Sequence, residues 1–519
     1  MNLTSSLERA LQVNATGVAT IDHGKSRTWR EFVGRVTRLA ATFLDTGLEP
    51  GGRVAMLAWN GSTYLEYYYA TFWAGGVAVP INTRWAIPEI SFALTDSGAR
   101  ILIVDDHFAA LAPDLLAAAP DVRALIFAGD GPAPAGALRW DALIAGAEPV
   151  PDAGRGWDDL AGIFYTGGTT GRSKGVMLSH GNLITNGMAE AIWLNMRQSS
   201  SYLHAAPSFH LADAAAGFAM TAVAGTHVFV DAFDPAEVLR AIADSGATHL
   251  LLVPTMIQML IEHPGFSPDQ AASVETIFYG GSPMSEALLE RALAALPRAR
   301  FVQAYGMTET SAIATILEPD FHVTHGPNAG RLRSAGRPAS HVGLRIVDAE
   351  DRPLPAGEVG EILVRGPNIT AGYWNQPDLS ASALRNGWMH TGDVGYLADD
   401  GFLYVVDRLK DMIISGGENV YSAEVENAIA QHPAVRMCAV IGIPDPRWGE
   451  AVHAVVWPIA DAEVTSDAII AHCRRHIAGY KCPRSVDVTD QPVPLSAAGK
   501  ILKNVLREPY WRGHDKHVH

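Results

Sequence analysis

From residue 53 onward the chain alternates short β-like runs with helical ones: 54–59, 63–73, 77–80, 87–95 and 101–104 read strand, helix, strand, helix, strand. This punctuation constrains the fold most, because parallel strands need crossover connections and the crossover helices then cover the faces of the sheet. The pattern pauses in a Pro/Ala/Gly-rich stretch near 129–156. It resumes with strands at 248–253 and 274–278, each followed by a helix, at 255–262 and 285–295. Near residue 342 the style changes. Short strands at 343–347 and 358–364, separated by Pro353-Leu354-Pro355-Ala356-Gly357, read as an antiparallel, barrel-like portion. From about residue 408 a helix at 423–431, strands at 438–442 and 451–457 and a helix at 466–476 suffice for a small α+β unit. The expected fold is a large α/β N-terminal domain, 1–407, with two βα sheet subdomains plus a small β-barrel-like part, and a small α+β C-terminal domain, 408–519. A length of 519 residues already argues for more than one core.

Charge removes several function classes. With 55 acidic against 39 basic residues the net charge is −16, which speaks against nonspecific nucleic-acid binding and against docking on anionic lipid. Three cysteines without C-x-x-C spacing read as reduced thiols of a cytoplasmic protein, not as a metal cage. Residues 1–20 lack the basic-then-apolar pattern of a signal peptide, and His517-Val518-His519 matches no targeting tail. The longest apolar stretch, 205–230, is broken by His210, Asp213 and His227, so it reads as interior packing, with no transmembrane segment expected.

The run Tyr165-Thr166-Gly167-Gly168-Thr169-Thr170-Gly171-Arg172-Ser173-Lys174-Gly175 reads as a phosphate grip. It is not the common P-loop, which needs Gly where Ser173 stands and a hydroxyl where Gly175 stands. Its glycines let backbone N–H groups approach an anion, its threonines and Ser173 add donors, and Lys174 adds a charge. The flanking apolar runs 161–165 and 176–180 read as two strands, which makes the loop a hairpin tip. An ordinary flexible loop is the competing reading.

Further clusters carry polar chemistry. Ala304-Tyr305-Gly306-Met307-Thr308-Glu309-Thr310 follows a short strand and offers a ring to stack on a purine, a hydroxyl for phosphate in Thr308, and a magnesium-binding carboxylate in Glu309. Asp393, ending Trp388-Met389-His390-Thr391-Gly392-Asp393, suits two ribose hydroxyls, with a turn-forming Asp as the alternative. Asp407-Arg408-Leu409-Lys410-Asp411 reads as a charged link between domains, with Arg408 able to bond sugar and phosphate oxygens and Gly416-Gly417 suited to close approach. Lys500, in Ser496-Ala497-Ala498-Gly499-Lys500, is unremarkable by spacing alone.

Taken in order, these five motifs resemble those of the AMP-forming adenylating superfamily, which includes acyl-CoA synthetases, peptide-synthetase adenylation domains and luciferase. The likeness spans most of the chain and is closest to bacterial fatty-acyl or feruloyl-type CoA ligases. It implies that a carboxylate attacks the α-phosphorus of ATP to give an acyl-adenylate, and that the thiol of coenzyme A then displaces AMP. The catalytic set implied is Lys500, Thr308, Glu309 and His210. ATP or AMP would be held by Thr166, Gly167, Gly168, Thr169, Thr170, Gly171, Lys174, Tyr305, Gly306, Met307, Thr308, Asp393, Arg408, Lys410 and Lys500. Mg2+ would sit on Glu309 with Thr166. The resemblance also implies that the C-terminal domain swings about Lys410, which brings Gly416 and Gly417 to the site. Coenzyme A would then meet Arg84, Trp448, Tyr480 and Arg484. The acid pocket is expected among His210, Asp213, Ala214 and Gly217 on one side and Tyr279, Gly280, Gly281 and Ala304 on the other.

Two departures from the family pattern stand out. Gly167 replaces the usual Ser, and Asp213 falls where apolar residues are commoner, either salt-linked at the pocket rim or pointing away. A fatty and an aromatic acid both remain open, as does a homodimer. An enzyme loading a carrier-protein thiol and a non-catalytic nucleotide-binding regulator are the rival readings.

Overall fold

The computed structural model describes residues 2–166, 173–282, 284–409, 411–460, 462–496, 499 and 501–512. Among them, strands collect into four sheets. In the first, Val77–Pro80, Arg53–Leu57, Ala99–Val104 and Ala124–Phe127 are parallel neighbours, as the β-α alternation requires. The hairpin Leu160–Thr166/Lys174–Ser179 joins beside Val77–Pro80, and Gly372–Tyr373 pairs outside it. Thr166 lies opposite Lys174, so the hairpin is paired up to the residues on either side of the glycine-rich run.

The second sheet has a parallel centre of Thr226–Phe229, Ser201–His204, His249–Leu252, Thr276–Gly280 and Arg300–Tyr305. Its crossover helices begin where the sequence places caps. Asp234 accepts from the N–H groups of Ala236 and Glu237 before Pro235–Ser245, and Gly246, at φ +66°, ends that helix. Between the two sheets lie Ser62–Trp73, His180–Trp193 and Leu211–Ala222. Small residues let the last two approach closely, with Gly187 against the backbone of Ala219. Phe164 and Val176 of the hairpin share one apolar cluster with Tyr68, Phe72 and Phe218, which fastens the hairpin's sheet to Leu211–Ala222. In the same region Glu66, fully buried, is held by Arg35 through two bonds of 2.6 and 3.1 Å and by the Trp140 indole at 3.0 Å.

The barrel-like portion is a five-stranded antiparallel sheet built on Gly343–Val347, Gly360–Arg365 and Trp388–Leu397, with Leu384–Arg385 and Leu403–Arg408 both on Trp388–Leu397. The last sheet, from Ile413–Ser415 to Ser485–Val488, packs on Ser422–Ala430 and Ser466–His476 as the core of the small unit. Its core holds all three cysteines, and burial pushes their thiols up. Among the described residues no helix is long and apolar enough to cross a membrane.

Candidate active site

The strand Arg300–Tyr305 delivers Tyr305 to the site, and the chain then turns abruptly. Ser311 and Ala312 both have positive φ, +54° and +93°, a strained conformation for residues with a Cβ. Gly306 allows the fold-back, since a Cβ there would lie 2.0 Å from Ala312 O. The single 3-10 turn Thr308–Thr310 created by this fold presents Glu309.

Three predicted residues, each from a different strand, meet here. The Tyr305 hydroxyl donates to Asp393 Oδ2 at 2.8 Å, and Arg408 Nε lies 3.4 Å from Asp393 Oδ1. Asp393 and Arg408 are direct partners in an antiparallel pair, so strand register sets their distance. Burial, then the Asp393 carboxylate, pushes the Tyr305 hydroxyl up, so it stays a donor.

Glu309 is buried, and the Tyr373 hydroxyl donates to its Oε1 at 2.9 Å. Burial raises its carboxyl above the ordinary value, while that bond and the charges of Lys174 and Arg408 pull it back. Lys174 Nζ stands 5.3 Å from the centroid of the Tyr373 ring. Tyr373 therefore touches both the end of the phosphate loop and the acidic residue. Sequence reasoning missed it; the only signal is the run Gly372-Tyr373-Trp374-Asn375, which pairs with the outer hairpin strand. Among the described residues no group of three or more His, Cys, Asp or Glu is placed to cage a metal. Mg2+ does not require one, since it is commonly held by one or two carboxylates plus substrate phosphates, and the oxygens of Glu309 and Thr166 fit that chemistry.

The small domain reaches back to the large one along two lines. Arg84 Nη1 donates to Ser496 O at 3.1 Å, and Thr255 Oγ1 to Gly499 O at 3.4 Å. Farther along Pro254–Ile261, Gln258 Nε2 reaches Arg436 O at 3.5 Å, and Arg436 pairs with Glu262 at 3.6 Å. The loop that carries Lys500 thus lies against the large domain. Lys500 itself, Lys410 and the run Gly167, Gly168, Thr169, Thr170 and Gly171 lie outside the described residues.

Among the residues assigned to coenzyme A, Trp448 lies between Arg447 and Arg484, with guanidinium carbons 4.6 and 4.4 Å from its ring. A Cβ at Gly416 would lie 2.6 Å from the same indole. Gly416, Trp448 and Arg484 therefore share one face, while Tyr480 lies beside Lys481 and Arg84 holds Ser496.

The acid-pocket expectation needs correction at several positions. Of the two alternatives for Asp213 the structure shows the second: it points away from any rim and is fully buried against Tyr202, His204 and Ser208. Ala214 and Gly217 face the same interior, where a Gly217 Cβ would come within 3.0 Å of the His204 ring. Tyr279 is buried and bonds His322 Nε2 at 3.0 Å, because strand alternation sends it into the core beside Phe301. Gly280 is explained by its strand neighbour, since a Cβ would strike Ala304 O at 2.3 Å. His210, at the start of Leu211–Ala222, packs its ring against Phe209.

A hairpin flanking the glycine-rich run beside one parallel sheet, and a small second domain whose Ser496 and Gly499 are bonded by Arg84 and Thr255 of the large one, fit an enzyme that works between two domains. Family models agree: the AMP-binding enzyme model matches residues 7–374 and the AMP-binding enzyme C-terminal domain model residues 424–500. The chain belongs to the AMP-binding enzyme family, and within it is an AMP-forming acid–thiol ligase that uses ATP and coenzyme A. It is 41% identical to a feruloyl-CoA synthase of Amycolatopsis sp over 97% of this chain and 98% of that one. It is 35% identical to the fatty acid–[acyl-carrier-protein] ligase ScoC of Streptomyces coeruleorubidus over 96% and 95%. The structure of o-succinylbenzoate CoA synthetase (MenE) of Bacillus subtilis, in complex with the acyl-adenylate intermediate OSB-AMP, is similar with a TM-score of 0.84 at 31% identity, covering 96% and 97%.

Proposed function

We propose that this ligase acts on an aromatic carboxylic acid of the feruloyl type, and that the residues above divide its two steps. Joining of Tyr305, Asp393 and Arg408 through one carboxylate is the observation that carries the nucleotide assignment. As an acceptor-only carboxylate Asp393 suits two ribose hydroxyls, and Arg408 lies beside it. In the first step a carboxylate oxygen of the acid forms a bond to the α-phosphorus as pyrophosphate leaves with the electron pair of the broken P–O bond. Lys500 offsets the charge that builds there, and Thr166 and Lys174 receive the departing phosphates. Mg2+ held through Glu309 would screen the phosphate charge. In the second step the coenzyme A thiol adds to the acyl carbon, loses its proton, and AMP departs.

We place the domain division at 407/408. Arg408 still pairs with Asp393 there, and rotation would begin just beyond, at Lys410. The aromatic acid rests on the 41% identity to a feruloyl-CoA synthase, and a cytoplasmic location on the buried, unpaired thiols. A second reading, transfer to a carrier-protein thiol, has the ScoC likeness in its favour. Pyrophosphate release measured across hydroxycinnamic, benzoic and fatty acids, with coenzyme A and with a carrier protein, tests the proposal. Turnover that depends on coenzyme A with a hydroxycinnamate is expected. Preference for a fatty acid, or for the carrier, would overturn the corresponding half.

A further inference from the structure

Behind the turn that carries His210 runs a buried chain of polar groups. Asp213 Oδ1 accepts from the Tyr202 hydroxyl at 2.9 Å, and Oδ2 accepts from the Ser208 hydroxyl at 3.1 Å. Oδ2 also lies 2.7 Å from His204 Nδ1. His204 Nε2 is 3.0 Å from His227 Nδ1, and His227 Nε2 is 3.1 Å from Thr221 Oγ1. Asp213, His227 and Thr221 are fully buried and His204 nearly so.

The direction of each bond can be followed from one end. Thr221 gives its only hydroxyl hydrogen to Gly217 O at 3.0 Å, so toward His227 it accepts, and His227 Nε2 carries a hydrogen. Burial pushes His227 far down, so this ring is neutral and its Nδ1 is an acceptor. His204 Nε2 must then donate to it. His204 Nδ1 faces a carboxylate that already receives two hydroxyl donors, so it donates as well. A ring with both nitrogens protonated is an imidazolium, and among the described residues it is the sole ion-pair partner of the buried Asp213.

We propose that His204 and Asp213 form a buried imidazolium–carboxylate pair that fixes the turn 205–209 and with it His210 at the acid pocket, making both of them positioning residues for acyl activation. The inference rests on the reading that His210 faces the acid. The same turn is held from the opposite side. Asn60 Nδ2 donates to His204 O at 3.2 Å and Ala206 O at 2.9 Å, Asn60 Oδ1 accepts from Ser208 N at 2.7 Å, and Tyr68 donates to Ser208 O at 2.9 Å. A cavity of only about 10 Å³, bounded by Tyr64, Tyr68, His204, Ser208, Asp213 and Phe229, lies beneath. Without the carboxylate of the pair the turn loses its tie from Ser208 to Asp213. The other titratable neighbours add no charge at neutral pH: burial raises Tyr68 and Tyr202, and Glu190 is pushed up to about 8.

Two measurements on the full chain test this. In protein labelled with 15N at histidine, one buried ring with both nitrogens protonated at pH 7 is expected, absent from His204→Gln and lost or converted in Asp213→Asn. Bonds running the other way, from Thr221 through two neutral rings, would leave no such signal and would overturn the pair. In pyrophosphate exchange, Asp213→Asn is expected to raise KM for the acid at least tenfold while KM for ATP stays within twofold. An unchanged acid KM in the folded variant, or an equal rise in both constants, would overturn the positioning role. Should the variant not fold, the wild-type signal decides the pair and Ser208→Ala, which removes one tie to Asp213, replaces it in the kinetic test with a rise of at least threefold. A wild-type enzyme that exchanges pyrophosphate with no carboxylic acid would overturn the functional reading, and the positioning role with it, whatever the resonances show.

Discussion

Gly499 is the last described residue before Lys500, and it has φ +70°. A Cβ there would lie 2.7 Å from Thr255 Oγ1 and 2.8 Å from Val253 Cγ2, both on β-branched side chains with little rotamer freedom. Gly499→Ala therefore meets two costs. The left-handed backbone disfavours any residue with a Cβ by about 1–2 kcal/mol, and the two close contacts push the loop off the large domain. The backbone cost alone slows a step that needs this docked geometry by about 5–30-fold, at roughly 1.4 kcal/mol per factor of ten. Adenylate formation, read by acid-dependent pyrophosphate exchange, should fall by at least that factor. Thioester formation from supplied acyl-AMP and coenzyme A, followed in a single turnover, should stay within twofold if the loop has left Thr255 by then. Lys500→Ala should show the same split in more extreme form. Adding Val253→Ala to Gly499→Ala should recover part of the exchange rate by removing one of the contacts. Equal losses in both half-reactions, or wild-type exchange, would refute the assignment of this docked geometry to the first step.

Three other outcomes follow from buried charges. Arg35→Ala leaves Glu66, among the described residues, with only the Trp140 indole and should cost about 3–5 kcal/mol, read from the urea midpoint; a loss below about 1 kcal/mol would contradict the ion-pair reading. Burial raises Glu309 and Lys174 lowers it, so the acid limb of the pH–rate profile should lie above the ordinary carboxylate range. Lys174→Ala should move that limb to still higher pH, and a downward move would count against the argument. Glu190, at about 8 in the folded chain against 4.5 normally, keeps its proton where the unfolded chain has released it. Stability contributed by the neutral form is complete below 4.5 and is lost as pH rises through about 8. Glu190→Gln should therefore raise the melting temperature more at pH 8 than at pH 5, and an equal gain at both would refute it.

Legibility in the sequence followed the range of the interaction. The parallel strands and their helices were readable because each is set by a local hydrophobic period and by nearby caps such as Asp234. Tyr305, Asp393 and Arg408 stood out because each belongs to a contiguous motif, although only strand register brings them together. Asp213 was left open between two placements for the opposite reason. Its partners Tyr202 and His204 come from a neighbouring strand, and no periodicity in an Ala-rich helix announces that a carboxylate will turn inward to meet them. Tyr373 was passed over because its value lies in touching two residues far away in sequence, Lys174 and Glu309.

That ring has a consequence for how readily the site accepts its nucleotide. Among the described residues Lys174 and Glu309 form no direct ion pair; the ammonium rests on the face of Tyr373 and the carboxylate takes its hydroxyl. Two opposite charges left to themselves would close on each other, and every arriving triphosphate would first have to prise them apart. Here one aromatic side chain acts as an insulating spacer. The weaker contacts it offers are surrendered easily, so the ammonium is kept in reserve for phosphate and the carboxylate for the cation that would accompany it.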